Sequence, residues 1–236
     1  AQELLPFFLI ISGLTMVVGV LGAAAQFEMR RLLSFHIISQ IGYMMMGLAI
    51  FTPLSIAAAI FFIFHNIIVK NALFLVSGLV YKIKGQYQLK YLGGFYKNHT
   101  FLSILFLIPA LSLAGIPPFS GFWGKLLLIK SGMEAGQYAI VFVSLAVSVL
   151  TLFSMIKIWN EAFWKIKPDV KLKVSGQYEK FTFAHKTMLY LPIVWLCLVL
   201  FVISFWADKS FEIAQKAGYQ LMNPELYINV VLGGAP

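Results

Sequence analysis

Two lysines and two histidines stand in stretches of this chain that are otherwise apolar, and such side chains in hydrocarbon are costly enough to mark a route for charge. Lys125 closes the run LAGIPPFSGFWGK, seven residues after the second of two consecutive prolines. Pro117 and Pro118 carry no amide donor, and Pro118 drives Pro117 out of the α region. A helix rising from about residue 100 therefore breaks near Gly115 and restarts near Phe119, with Gly121 and Ser120 at the restart. Hydrocarbon offers no water to freed backbone groups, so a break at that depth is tolerated only inside protein or beside a wet cavity. A lysine that merely snorkels to the headgroups would need no such break beside it.

Lys70 lies in HNIIVKNALFLVSG, where Asn66, Lys70 and Ser77 share one helical face and His65 is displaced from it by about 100°. Counted from Leu54, Lys70 is on the order of 24 Å along its helix, so its amine reaches headgroups only by stretching. A third group comes from SFHIISQIGYMMMG, in which His36, Ser39, Gln40 and Tyr43 stand at i, i+3, i+4 and i+7 on one face. Hydrogen bonds between helices account for Ser and Gln as well as a proton path does, while imidazole titrates near neutral pH. Together these residues can hand protons on. Nothing in the sequence resembles a catalytic cysteine or a metal-ligand cluster, and no cofactor is expected.

The elements that must position these groups follow from composition. With 60% hydrophobic residues, 11% charged and a mean hydropathy of +0.86, the chain is too apolar for a soluble domain. The expected fold is all-α, a polytopic transmembrane bundle with spans at about 5–25, 32–51, 54–81, 100–132, 137–164 and 187–206. The tail 209–236 is mildly amphipathic and is expected to lie along the membrane surface. Gly13, Gly19 and Gly22 in the first span are expected to let a neighbour approach, and Lys157 with Glu161 to form a helix-end pair or an anchor. Cys197 is the single cysteine and reads as a buried thiol.

The 18 Lys and Arg against 9 Asp and Glu are gathered in loops, which is topology and not a nucleic-acid footprint. Loops after the first, third and fifth spans hold Arg30, Arg31, Lys82, Lys84, Lys90, Lys97, Lys165, Lys167, Lys171, Lys173, Lys180 and Lys186, with Asp169 and Glu179 in the last of them. Lys209 and Lys216 stand on the other side. The positive-inside rule then puts those loops in the cytoplasm and both chain ends outside a bacterial or archaeal plasma membrane. The first apolar run lacks a basic leader and reads as a span and not a signal peptide, and a start at Ala1 almost inside it points to a fragment of something longer.

In order and spacing, EMRRLLSFHIISQIGYMMMG, HNIIVKNALFLVSG and LAGIPPFSGFWGK resemble the proton-antiporter-like subunits shared by respiratory complex I, membrane-bound hydrogenases and multisubunit Mrp Na+/H+ antiporters. RRLLSFHIISQIGYM and LLTLFSMIKIWNEAFW look most MrpD-like. The resemblance implies spans nine to fourteen of a fourteen-span subunit, most of its second inverted repeat. It places Lys125 as the terminal lysine of the second half-channel on broken helix twelve and Lys70 on a broken helix eleven. Arg30 falls at a basic position opening helix ten, and His65 at a common histidine. Asn66 departs from the pattern, since a histidine is usual one turn before the lysine and an amide cannot carry a proton as imidazole does. The first repeat, with its ion-coupling glutamate–lysine pair, has no counterpart in the sequence.

The implied function is a proton-conducting subunit of a monovalent cation/H+ antiporter, moving protons and Na+ beside other membrane subunits. A proton-pumping subunit of a complex I-like or hydrogenase assembly is the second reading. A truncated or split subunit with a structural role is the third.

Overall fold

The computed structural model describes residues 2–166, 178, 181–231 and 233, so the basic positions Lys167, Lys171, Lys173 and Lys180, with Asp169 and Glu179, lie outside the described residues. Helices α1 (Leu5–Ala25) and α2 (Met29–Ile50) form a tight hairpin. Its closeness is set by glycine: a Cβ at Gly19 would stand 2.7 Å from the Ser39 Cα and one at Gly22 would meet Phe35, while one at Gly13 would meet Ile140 of a later helix. The Ser39 hydroxyl donates to the Met16 carbonyl at 3.0 Å and ties the pair.

Phe51 in the left-handed region ends α2, and a reciprocal capping box between Thr52 and Ser55 starts α3 (Pro53–Lys84) with Pro53 in its first turn. At 32 residues α3 is about 48 Å long, more than a hydrocarbon core of about 30 Å requires. It is the post of the bundle, packing against α2 and against four helices that follow. It also runs unbroken through Lys70, contrary to the broken helix eleven that the family resemblance implies. Past Pro53 no residue up to Lys84 lacks an amide, so no step in the ladder is forced open.

After Gly85 the chain folds back as a plug. Gln88 bridges Glu28, Leu89 and Leu92 are fully buried, and the short α4 (Phe95–Asn98) drives Phe95 against Phe163. The fourth span is two half-helices, α5 (Thr100–Ala114) and α6 (Ser120–Glu134), each of 15 residues and too short to cross alone at about 22 Å. Helix α7 (Tyr138–Ile158) continues into a π-helical turn at Trp159–Trp164, which stacks Trp159 and Phe106 on Phe163. Then come α8 (Phe183–Phe205), α9 (Ala207–Met222) and α10 (Pro224–Val231).

Among the described residues, five helices are long and apolar enough to cross a membrane, and the α5/α6 pair makes the sixth span, in line with the expected all-α bundle. The Cys197 thiol is buried and points at the Leu105 carbonyl. Helix α9 of the tail is docked on the bundle. Ala214 and Gly218 of α9 are inside, Gly218 against the Ala57 backbone, and Phe211 meets Phe61 edge-on at 6.3 Å.

One ion-pair expectation and one charge assignment are corrected. Lys157 does not pair with Glu161; its Nζ donates to the carbonyls of Ala24 and Gln26, both at 2.8 Å, where the negative end of the α1 dipole attracts a cation. Glu161 pairs with Lys165 at 3.0 Å. Lys130, paired with Glu134 at the far end of α6, joins Lys209 and Lys216 as a basic residue outside the three basic loops.

Candidate functional site: a lysine on orphaned carbonyls

In a continuous helix the Leu113 carbonyl would accept from residue 117 and the Ala114 carbonyl from residue 118. Both of those residues are proline, so both carbonyls lose their donors. Gly115, with φ 86°, turns the chain out of α5; its amide and that of Ile116 bond back to Leu111 and Ser112 and leave the two orphans free. Lys125 supplies what is missing. Side chains on a helix lean toward its N-terminus, so Lys125 on the second turn of α6 reaches back into the gap. Its Nζ donates to Leu113 O at 3.1 Å, to Ala114 O at 3.0 Å and to the Ser148 hydroxyl on α7 at 2.8 Å. Gly115 keeps the passage open, because a Cβ there would stand 2.9 Å from the Lys125 Cδ.

The ammonium also faces the Tyr43 ring, 5.2 Å from Nζ to the centroid. That ring is held by Phe62 on α3 and by the Tyr43 hydroxyl, which donates to the Ser144 carbonyl. Lys125 is 4% exposed, and its three N–H donors are all used.

The other side of the break is stitched by hydroxyls. Ser120 Oγ lies 2.9 Å from His65 Nδ1 and 3.3 Å from Ser112 Oγ, joining α3 and both half-helices. The first amide of α6, at Ser120, donates to Ser204 Oγ on α8 at 2.8 Å, so the last span caps the restarted helix. At Gly121 a Cβ would overlap the Ser112 carbonyl oxygen and crowd His65 Nε2 at 2.8 Å. Only glycine lets α6 begin there.

A second polar group lies buried on α2 and α3. Both ring nitrogens of His36, both amide atoms of Gln40, Asn66 Oδ1, Lys70 Nζ and Ser77 Oγ have no hydrogen-bond partner among the described residues. Asn66 spends its amide nitrogen on the Phe62 carbonyl at 2.8 Å. His36 and His65 both lie within electrostatic reach of Lys70 and Lys125, so the two groups share one interior. The buried charged side chains among the described residues are lysines, with no Asp or Glu beside them. Buried polar atoms left open by the protein are where exchangeable water and protons belong.

Arg30 stands apart. Its side chain is half exposed, pairs with Glu28 at 3.7 Å and stacks 3.6 Å over the Tyr87 ring, away from the buried groups named with it. Conversely, the sequence reading passes over Ser112, Ser204 and the two orphaned carbonyls, and it places Ser148 only with Ser144 and Thr151 on one face of the fifth span. The carbonyls do leave a signal there: two prolines four residues downstream name them. Ser148 is visible only as one of several small hydroxyls on α7.

Comparison with known proteins agrees with this architecture. Residues 1–151 match the family model described as NADH:quinone oxidoreductase/Mrp antiporter, transmembrane. A relative from Alkalihalophilus pseudofirmus, named as the D component of an Na(+)/H(+) antiporter, is 46% identical over 95% of this chain and 44% of its own length. Among solved structures, a chain of the Mrp complex from Dietzia sp. superposes with a TM-score of 0.87 at 32% identity, covering 98% of this chain and 50% of that one. A chain of respiratory complex I from Thermus thermophilus shares the fold, with a TM-score of 0.75 at 19% identity over 93% of this chain and 45% of that one. The chain thus spans about half the length of the relatives it matches, and it belongs to the NADH:quinone oxidoreductase/Mrp antiporter family of transmembrane proteins.

Proposed function

We propose that this chain forms the second proton half-channel of a D-type component in a multisubunit Na+/H+ antiporter, beside other membrane subunits. The observation that carries the reading is Lys125, an amine held at membrane depth by carbonyls that two prolines have orphaned. Protons reach it along the open polar atoms of His36, Gln40, Lys70 and Asn66, and Ser39, Tyr43, Ser77, His65 and Ser120 line or brace that interior. The basic loops face the cytoplasm, residues 1–208 form the bundle, and the tail from 209 lies at the opposite membrane surface. On that topology Lys70 stands in the inner half and Lys125 in the outer half, with Arg30 at the cytoplasmic entrance. Burying a charge in hydrocarbon is costly, so a change in a neighbouring charge is enough to move the proton on. The chain acts as part of a transporter and not as an enzyme in its own right.

The test is Lys125→Ala in the complete complex, assayed in everted vesicles with a pH-gradient dye. Na+-driven proton movement is expected to vanish while the chain still assembles. Unchanged antiport would falsify the reading. The fold shared with complex I favours, as a second reading, a redox-driven proton pump that uses the same lysine. Quinone-dependent pumping that survives removal of Na+ would select it.

A further inference from the structure

Lys125 is bound by three acceptors, and they are not equivalent. The Leu113 and Ala114 carbonyls can only accept, so they serve N–H groups in either protonation state of the amine. The ammonium has three N–H donors and uses all three. A neutral amine has two, plus a lone pair that needs a donor in a dry pocket. The nearest ring, Tyr43, offers its face, and the Tyr43 hydroxyl proton goes to the Ser144 carbonyl, while its oxygen lies within hydrogen-bond reach of Ser148. Ser148 is the group that can answer. Its Oγ accepts from Lys125 at 2.8 Å and donates to the Ala114 carbonyl at 3.3 Å.

We propose that Ser148 is the positioning residue of the terminal lysine, a hydroxyl rotor that accepts from the Lys125 ammonium and donates to the neutral amine. This rests on the proton-transfer reading of Lys125 above. In the charged state the Ser148 proton points at Ala114 O. When Lys125 gives up its proton, the hydroxyl turns by rotation about a single bond and donates to Nζ. The two remaining N–H groups stay on Leu113 O and Ala114 O, and every polar atom keeps a partner in both states. No backbone motion is needed. Ser148 is also the half-buried member of the set, while Lys125 is enclosed. Without it, one of the two protonation states carries an unpaired buried group, which slows each turnover.

Threonine and valine have nearly the same shape and differ in the hydroxyl, so Ser148→Thr and Ser148→Val in the complete complex form the decisive pair. Na+/H+ antiport is measured per assembled complex, with Lys125→Ala as the inactive reference. The expected result is that S148T turns over within twofold of the parent, while S148V falls at least fivefold in kcat with its KM for Na+ unchanged. Ser154→Ala, which removes a hydroxyl bonded within α7, is expected to have no effect. If S148V matches S148T, the rotor is wrong and Lys125 keeps its role. If S148V and S148T fall equally, shape and not the hydroxyl matters, and the inference is again overturned. If Lys125→Ala remains active, the underlying proton-transfer reading fails instead.

Discussion

His65 and Ser120 belong to different helices and meet at 2.9 Å, imidazole Nδ1 to hydroxyl oxygen, across the gap between α5 and α6. Ser112 lies 3.3 Å further on, so one hydroxyl couples a histidine of the central post to both halves of the broken span. The arrangement makes the break a joint with defined partners.

Ser120→Ala removes the middle of that chain without touching Lys125. A neutral hydrogen bond of this kind is worth about 1 kcal/mol, and loss of a buried partner somewhat more. Proton flux per assembled complex is expected to fall roughly five- to tenfold, with Ser120→Thr restoring most of it. A variant at full rate would show that His65 takes no part through this contact.

Gly121→Ala puts a methyl group into the Ser112 carbonyl and against His65. The backbone of α6 has to move, and overpacking of this kind costs about 1–3 kcal/mol. The solubilised complex is expected to lose thermal stability at this chain, read as a lower midpoint for its dissociation. Gly136→Ala is a contrast of a different kind, because no atom stands within 4 Å of a Cβ there and its penalty comes from a φ of 70° alone.

Lys157→Met tests the clamp between α7 and α1. The side chain is part-buried, donates twice to carbonyls ending α1 and lies 3.7 Å over the Phe27 ring. Removing these is expected to cost about 1–2 kcal/mol, partly screened because the site is open to solvent. The measurement is thermal dissociation of the complex alongside antiport. Stability should drop while the rate per surviving complex holds, and loss of rate at unchanged stability would give Lys157 a transport role instead.

Gly218→Leu addresses the tail. A Cβ at Gly218 already comes within 3.3 Å of the Ala57 amide nitrogen, so a larger side chain pushes α9 off α3. Limited proteolysis is expected to cut between α8 and α9 at least several times faster than in the parent, leaving the spans intact. An unchanged rate would mean that Phe211 and Ala214 hold the helix unaided.

The break in the fourth span was readable from the chain alone, because a proline lacks its amide in any surroundings. The same local chemistry names the two carbonyls it orphans and explains why a lysine one turn into the next helix finds them. The number of spans was readable for a similar reason, since about twenty apolar residues in a row have few other uses. Tertiary structure decided what each buried group faces. The resemblance led to a second break at Lys70, yet α3 has no residue that forces one. Spacing put Lys157 beside Glu161, yet the orphaned end of α1 made the better acceptor. Ser148 is 23 residues from Lys125 and Ser204 is 84 from Ser120, and no local rule connects them. Helices that are apolar nearly all round carry little record of which side turns inward, so rotation and crossing of the packed spans chose those partners.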